Sequence, residues 1–220
     1  MPPRRSYRQA QHRTTFWLAR WLIGVLVLLC GALAVAAPLS AGQAQESAIG
    51  LSTGFLQEQA GRLELPDAVA ALRAGKFAPG NSQVLNFGIG AKPVWIHFAV
   101  DNPTAAPVQK RLSIETAWLD RTEVYFQHQG RTVETYRVGD DQAFSQRPLA
   151  SRYFVFDYAF AAGTSEVFIR IETPDPMVVP IHLASPEAFQ VRQTQQELSY
   201  GVVYGFLFAL IAYNAILYLG

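Results

Sequence analysis

Few side chains in this sequence of 220 residues are suited to bond-making chemistry. Its four histidines, His12, His97, His128 and His182, lie far apart, without the paired spacing that a metal or a metalloprotease helix needs. Cys30 is the single cysteine and sits in an apolar leader, so no thiol nucleophile is expected in the remainder. No G-x-S-x-G elbow and no glycine-rich phosphate loop is present. Asp140 and Asp141 are adjacent in a turn, where aspartate commonly serves local hydrogen bonding. A glycosidase needs two carboxyls about 5–10 Å apart, one with a raised pKa. Neither a catalytic set, a metal site nor a cofactor is expected. Calcium on Asp140, Asp141 or Asp175 would want a denser acidic loop.

Binding is the better-supported chemistry. Trp95 and Trp118 are the tryptophans beyond the leader, and Asp140 and Arg147 flank a loop between strands. An aromatic face, a carboxylate and a guanidinium can together hold a polyhydroxylated ligand. The expected ligand site is therefore bordered by Trp95, Trp118, Asp140 and Arg147. The competing reading is inter-sheet packing for each tryptophan and, for Arg147, a loop tie through Asp140.

These residues sit on segments of period two. Val94, Ile96, Phe98 and Val100 share one strand face opposite Trp95, His97, Ala99 and Asp101. Phe154, Phe156, Tyr158 and Phe160 alternate with Tyr153, Val155, Asp157 and Ala159. Similar runs follow Leu112, Val124, Val133, Val167 and Val179, separated by turn signals such as Gln129-Gly130 and Ala162-Gly163-Thr164. Short strands at this spacing, with no helical pattern between them, predict an all-β antiparallel jelly roll or β-sandwich. Before them, residues 65–73 have Pro66 and Asp67 at a helix start and apolar Leu65, Val69 and Leu72, so a short amphipathic helix is expected.

Both ends of the chain are apolar. Arg4, Arg5, Arg8, Arg13 and Arg20 precede a run of Leu, Val, Ala and Gly ending in Ala34-Val35-Ala36, the form of a secretory signal, with an uncleaved signal anchor as the alternative. Without those five arginines, 13 basic residues face 17 acidic ones, a formal charge of −4, which gives no reason to expect nucleic acid. Residues 198–220 carry no charge, and a helix of that length rises about 35 Å against a hydrocarbon core of roughly 30 Å. Ser185, Pro186 and Glu187 mark a helix start that runs toward this segment. The expected organisation is a signal peptide or anchor with leader over residues 1–44, a linker and short helix over 45–80, and a sensory jelly roll over 81–185. A juxtamembrane helix over 186–197 and a first transmembrane helix over 198–220 follow.

Four pieces in this order carry a resemblance: Val94-Trp95-Ile96-His97-Phe98 with Asn102; Gly139-Asp140 with Phe144 and Arg147-Pro148; Phe168-Ile169-Arg170-Ile171 with Pro180-Ile181-His182-Leu183; and Tyr204-Gly205 with Tyr213-Asn214. From about residue 85 to 220 the chain resembles the type 2 extracellular domain of the seven-transmembrane receptors with diverse intracellular signalling modules. The resemblance implies a jelly roll like those of carbohydrate-binding modules, then a helix bundle and a histidine kinase, diguanylate cyclase or other effector, with this sequence ending in the first bundle helix. It places Asp140 and Arg147 in a matching motif without assigning them a ligand. The function expected is a non-enzymatic sensor of a small-molecule or glycan ligand at the bacterial inner membrane, with membrane lipid, the other helices and an effector as partners. A membrane-anchored glycan hydrolase and a structural partner-binding anchor are the alternatives.

Overall fold

The computed structural model describes residues 37–43, 45 and 47–219, within one compact unit, Val35–Gly220. Of the signal peptide or anchor with leader expected over residues 1–44, residues 1–36 lie outside the described residues.

Alternation of apolar and polar side chains produces a sandwich of two main sheets. The larger contains β1 (Leu39–Ser40), β2 (Gly54–Gln57), β3 (Ala78–Pro79), β5 (Val94–Asn102), β7 (Arg121–His128), β8 (Arg131–Val138) and β10 (Gly163–Glu172), in the order β3-β2-β5-β10-β7-β8, with β1 also on β5. The smaller is β12-β6-β9, made of β12 (Ile181–Ala184), β6 (Val108–Ile114) and β9 (Phe154–Phe160). The chain passes repeatedly from one sheet to the other, as in a jelly roll. Among the described pairings only β1 with β5 is parallel.

The core lies between the sheets. Val94, Ile96, Phe98 and Val100 of β5 meet Phe154, Phe156, Tyr158 and Phe160 of β9 there, the facing expected from the alternation. Phe126 stacks on Tyr158 with ring centroids 4.2 Å apart. Aromatic residues alternating along one strand supply large apolar area to a single layer, and this layer needs no disulfide.

Two expectations change. The stretch read as linker, and the boundary at residue 81, give way to a sandwich that starts earlier. Leu39, Ala41 and Ile49 are buried in the core, and β2 pairs with β5 from Gly54 to Gln57. Small residues there look like spacer in sequence because single buried positions carry no period. The last strand is also split. β11 (Val178–Val179) pairs with β4 (Leu85–Asn86), whereas β12 pairs with β6, because Pro180 between them has no N–H to donate.

Each outer face has a cover. Helix α1 (Leu65–Arg73) lies over the large sheet, its start fixed by Pro66 and by a reciprocal Glu64–Asp67 capping box. Helix α2 (Pro186–Leu219) begins where Ser185 Oγ accepts the N–H of Ala188 at 3.2 Å, then runs unbroken for 34 residues. Its first turns rest on the small sheet, where Phe189 is buried with Val155 and Ala184. From Leu198 to Leu219 every residue is exposed, and the segment is long and apolar enough to cross a membrane.

Candidate functional site

Strand ends gather side chains from distant sequence at one end of the large sheet. β5 starts there, β10 ends there, β7 starts and β8 ends there, so Lys92, Glu172, Arg121 and Asp141 become neighbours. A groove of about 390 Å³ is lined by Glu58, Arg62, Lys92, Arg121, Arg170 and Glu172. Arg121 Nε lies 3.6 Å from Asp141 and its Nη1 lies 3.9 Å from Glu172.

The floor of this groove is a closed ionic network. Arg170 donates to Glu58 through Nε at 2.8 Å and Nη2 at 3.0 Å, and through Nη1 to Glu172 at 2.8 Å. Trp95 Nε1 and the N–H of Leu63 also donate to Glu58 Oε1. Burial would raise the Glu58 carboxyl, but the bonds from Arg170, Leu63 and Trp95 outweigh it and hold the group below its ordinary value. Arg62 grips Glu123 at 2.9 Å, and Tyr125 donates to the same carboxylate at 2.7 Å. Burial and that carboxylate push the Tyr125 phenol up to about 12.

The expected site residues separate into two kinds. Trp95 is 0% exposed; it stacks on Tyr125 and lies beneath the groove, presenting no free face. Trp118 is 47% exposed, with its Nε1 donating to the carbonyl of Pro176 at 3.0 Å. Asp140 shares that corner: its N–H donates to the carbonyl of Leu119, next to Trp118. Desolvation raises its carboxyl, and the charges of Asp120, Asp141 and Asp175 add to the rise. Asp120 accepts a short hydrogen bond from Thr173. A Cβ on Gly139 would sit 1.7 Å from the carbonyl oxygen of Asp120, so only glycine brings this loop so close. The Asp140–Leu119 backbone bond thus sets the loop carrying Asp140 against the connection that carries Trp118.

Arg147 makes its bonds elsewhere, although its charge reaches Asp140 and opposes the rise of that carboxyl. Its Nη1 donates to the carbonyls of Ser151 and Arg152, each at 2.9 Å, and its guanidinium lies over Phe144 and Phe154. It ties down its own loop through those carbonyls, with no ion pair to Asp140 among the described residues. Among the described residues no group of three or more His, Cys, Asp or Glu is placed to hold a metal ion.

Sequence reasoning missed a second cluster, between the small sheet and α2. Glu115, just past β6, accepts from Arg192 Nη2 at 2.6 Å and lies 3.7 Å from His182 Nε2. His182 Nδ1 is buried without a hydrogen-bond partner. Burial lowers the His182 pKa below its ordinary 6.5; Glu115 opposes this and Arg192 adds to it. The signal available in sequence was the spacing of Phe189, Arg192 or Gln193, and Gln196 along one helix face.

An antiparallel sandwich with a polar corner runs on into a helix long and apolar enough to cross a membrane. A family model described as 7TMR-DISM extracellular 2 matches residues 50–185, well over half of the chain, and the chain belongs to that family of extracellular sensor domains. Its domain faces outward from a membrane anchor. Among solved structures, a family 35 carbohydrate binding module from an environmental isolate aligns at 14% identity and a TM-score of 0.30, over 65% of this chain and 92% of that one. The module CsCBM6-3 from Clostridium stercorarium, in complex with cellobiose, aligns at 11% identity and a TM-score of 0.28, over 69% of this chain and 99% of that one. No curated protein matches the chain.

Proposed function

We propose that the chain is the extracytoplasmic sensing part of a bacterial receptor, held in the cytoplasmic membrane by α2. A small polyhydroxylated envelope ligand binds the corner formed by Trp118 and Asp140, and α2 carries the response to further membrane helices and a cytoplasmic kinase or diguanylate cyclase. One observation supports this most strongly. Trp118 at the corner and Glu115 at the α2 contact lie three positions apart on a single short connection between β6 and β7. A ligand that favours one arrangement of this connection therefore also biases the Glu115–Arg192 pair and the pose of α2. It does so only through different affinity for the two arrangements.

The test is to titrate the full chain in lipid nanodiscs with envelope glycan fragments, following the heat of binding by calorimetry and a spin-label distance from the sandwich to α2. Binding and a distance change are expected in the wild type. Trp118→Phe with Asp140→Asn is expected to lose both, while Glu115→Gln keeps binding and loses the distance change. Unaltered binding in the double variant overturns the site. Glycan recovered in cleaved form would support the hydrolase alternative instead.

A further inference from the structure

The contact between the sandwich and α2 does not end where the apolar stretch begins. Arg152, in the loop before β9, donates from Nη2 to Gln196 Oε1 at 2.6 Å. Its guanidinium also lies 5.0 Å from the ring centroid of Tyr200. The charge-free stretch starts at Leu198, so Tyr200 is already about 3 Å inside it. A protein loop thus touches the helix on both sides of that boundary. If α2 crosses a bilayer, no spacer separates the domain from the lipid surface, and this loop sits at headgroup depth. Tyrosine is enriched at that depth.

Beside this contact is a crevice of about 310 Å³, lined by Tyr153, Arg192, Gln195, Gln196, Ser199 and Tyr200. Its upper lining belongs to the sandwich and the polar turns of α2; its lower lining, Ser199 and Tyr200, belongs to the apolar stretch. The charges in and around it are unequal. Arg192 is neutralised by Glu115; Glu197 accepts from the neutral amide of Gln193 on its own helix and keeps its negative charge. Arg152 is exposed and has no carboxylate within ion-pair distance among the described residues. Its Nε and Nη1 carry no hydrogen bond there, so a guanidinium edge is left for an anion. Guanidinium groups bind phosphate oxygens bidentately, and this one sits at the edge of the crevice, bonded to Gln196 and lying against the rings of Tyr153 and Tyr200, three of the lining residues.

We propose that this crevice holds the phosphate of one glycerophospholipid from the surrounding leaflet, gripped by Arg152, with its acyl chains along the apolar face of α2. The proposal rests on α2 being a membrane span. The bound headgroup sits as a wedge between the loop and the helix, so lipid occupancy bears on the same joint that the ligand reading uses.

The experiment uses the full chain in nanodiscs of phosphatidylglycerol, and in nanodiscs of an uncharged glycolipid that has no phosphate. Hydrogen exchange of residues 147–153 and 193–200 is followed, with native mass spectrometry of chains released from the discs. Slower exchange of both segments and retained phospholipid are expected in phosphatidylglycerol only. Arg152→Ala is expected to reduce retention about tenfold, as the loss of one charge-assisted contact predicts, and Arg152→Lys to restore part of it. Equal exchange in the two lipids, or unchanged retention in Arg152→Ala, overturns the proposal while leaving the span intact. A chain that does not insert into either disc overturns the span, and the proposal with it. Inorganic phosphate added to the chain in detergent separates the sources: equal protection by free phosphate would make this a soluble-anion site and overturn the lipid assignment.

Discussion

The two outer faces of the sandwich are covered in opposite ways. Over the large sheet, the segment from Glu58 through α1 closes on Trp95, Tyr125 and Phe168. Every charge it buries is answered: Arg170 by Glu58 and Glu172, Glu123 by Arg62. Over the small sheet, α2 rests on Phe189 and one half-open cluster, in which His182 Nδ1 lacks a partner. The first face is a lock whose buried charges are paired, with His97 Nε2 its one buried side-chain atom lacking a hydrogen-bond partner among the described residues. The second is a joint with spare bonding capacity, and a joint of that kind is what a moving helix needs.

The largest expected effect breaks the lock. Replacing Arg170 by Ala strands the Glu58 carboxylate in a site where it is 4% exposed, and removing one partner of such a pair costs about 3–5 kcal/mol. Denaturant unfolding should show a loss as large as that of Phe156→Ala, which empties a fully buried position at a cost of about 3–5 kcal/mol. An Arg170→Ala domain that melts like the wild type would make the strap a loose cover and dissolve the contrast.

Arg192→Ala, at the joint, is expected to cost only about 1 kcal/mol, because its pair with Glu115 is partly solvated. The same substitution should release α2 from the small sheet, seen as faster hydrogen exchange over residues 186–197. Stability loss equal to that of Arg170→Ala would show two locks and no joint.

The smallest effect separates the faces by pH. His182 has its folded pKa below 6.5, so the unfolded chain takes up a proton more readily than the folded one. Its contribution is present above pH 6.5 and fades as pH falls below it. Glu58 also has its folded pKa lowered, from 4.5, so its contribution holds until pH falls below that value. Acidification should therefore loosen the α2 contact first and the strap last. His182→Gln should flatten the melting temperature between pH 7 and 5.5 while leaving the acid limb unchanged; a limb that moves with it would contradict the order.

How much of this was legible follows from the range of each interaction. The facings of β5 and β9 were readable because alternation is local, and the starts of α1 and α2 because capping spans a single turn. Trp95 appeared as a possible ligand face because its strand side is opposite the core; nothing near it in sequence announces that Glu58 and α1 will cover it. The Glu58–Arg170 pair joins positions 112 apart, beyond any periodic signal. Trp118 and Asp140 were chosen on chemistry alone, and the approach of the segments that carry them depends on β7 and β8 pairing so that both strands present ends to one corner. The loop-tying reading of Arg147 named Asp140 as partner, whereas its bonds go to backbone carbonyls, which leave no mark on a sequence.

Because α2 is unbroken from Pro186 to Leu219, it has no point at which twist can be absorbed. Each residue turns the axis by about 100° and advances it by about 1.5 Å, so the azimuth of Tyr204 or Asn214 is set by where Phe189 is seated. The segment therefore behaves as a shaft with a fixed phase. A single residue added after Gln196 would re-aim every side chain beyond it by more than a quarter turn, whereas seven added residues would nearly restore the original heading and only lengthen the shaft.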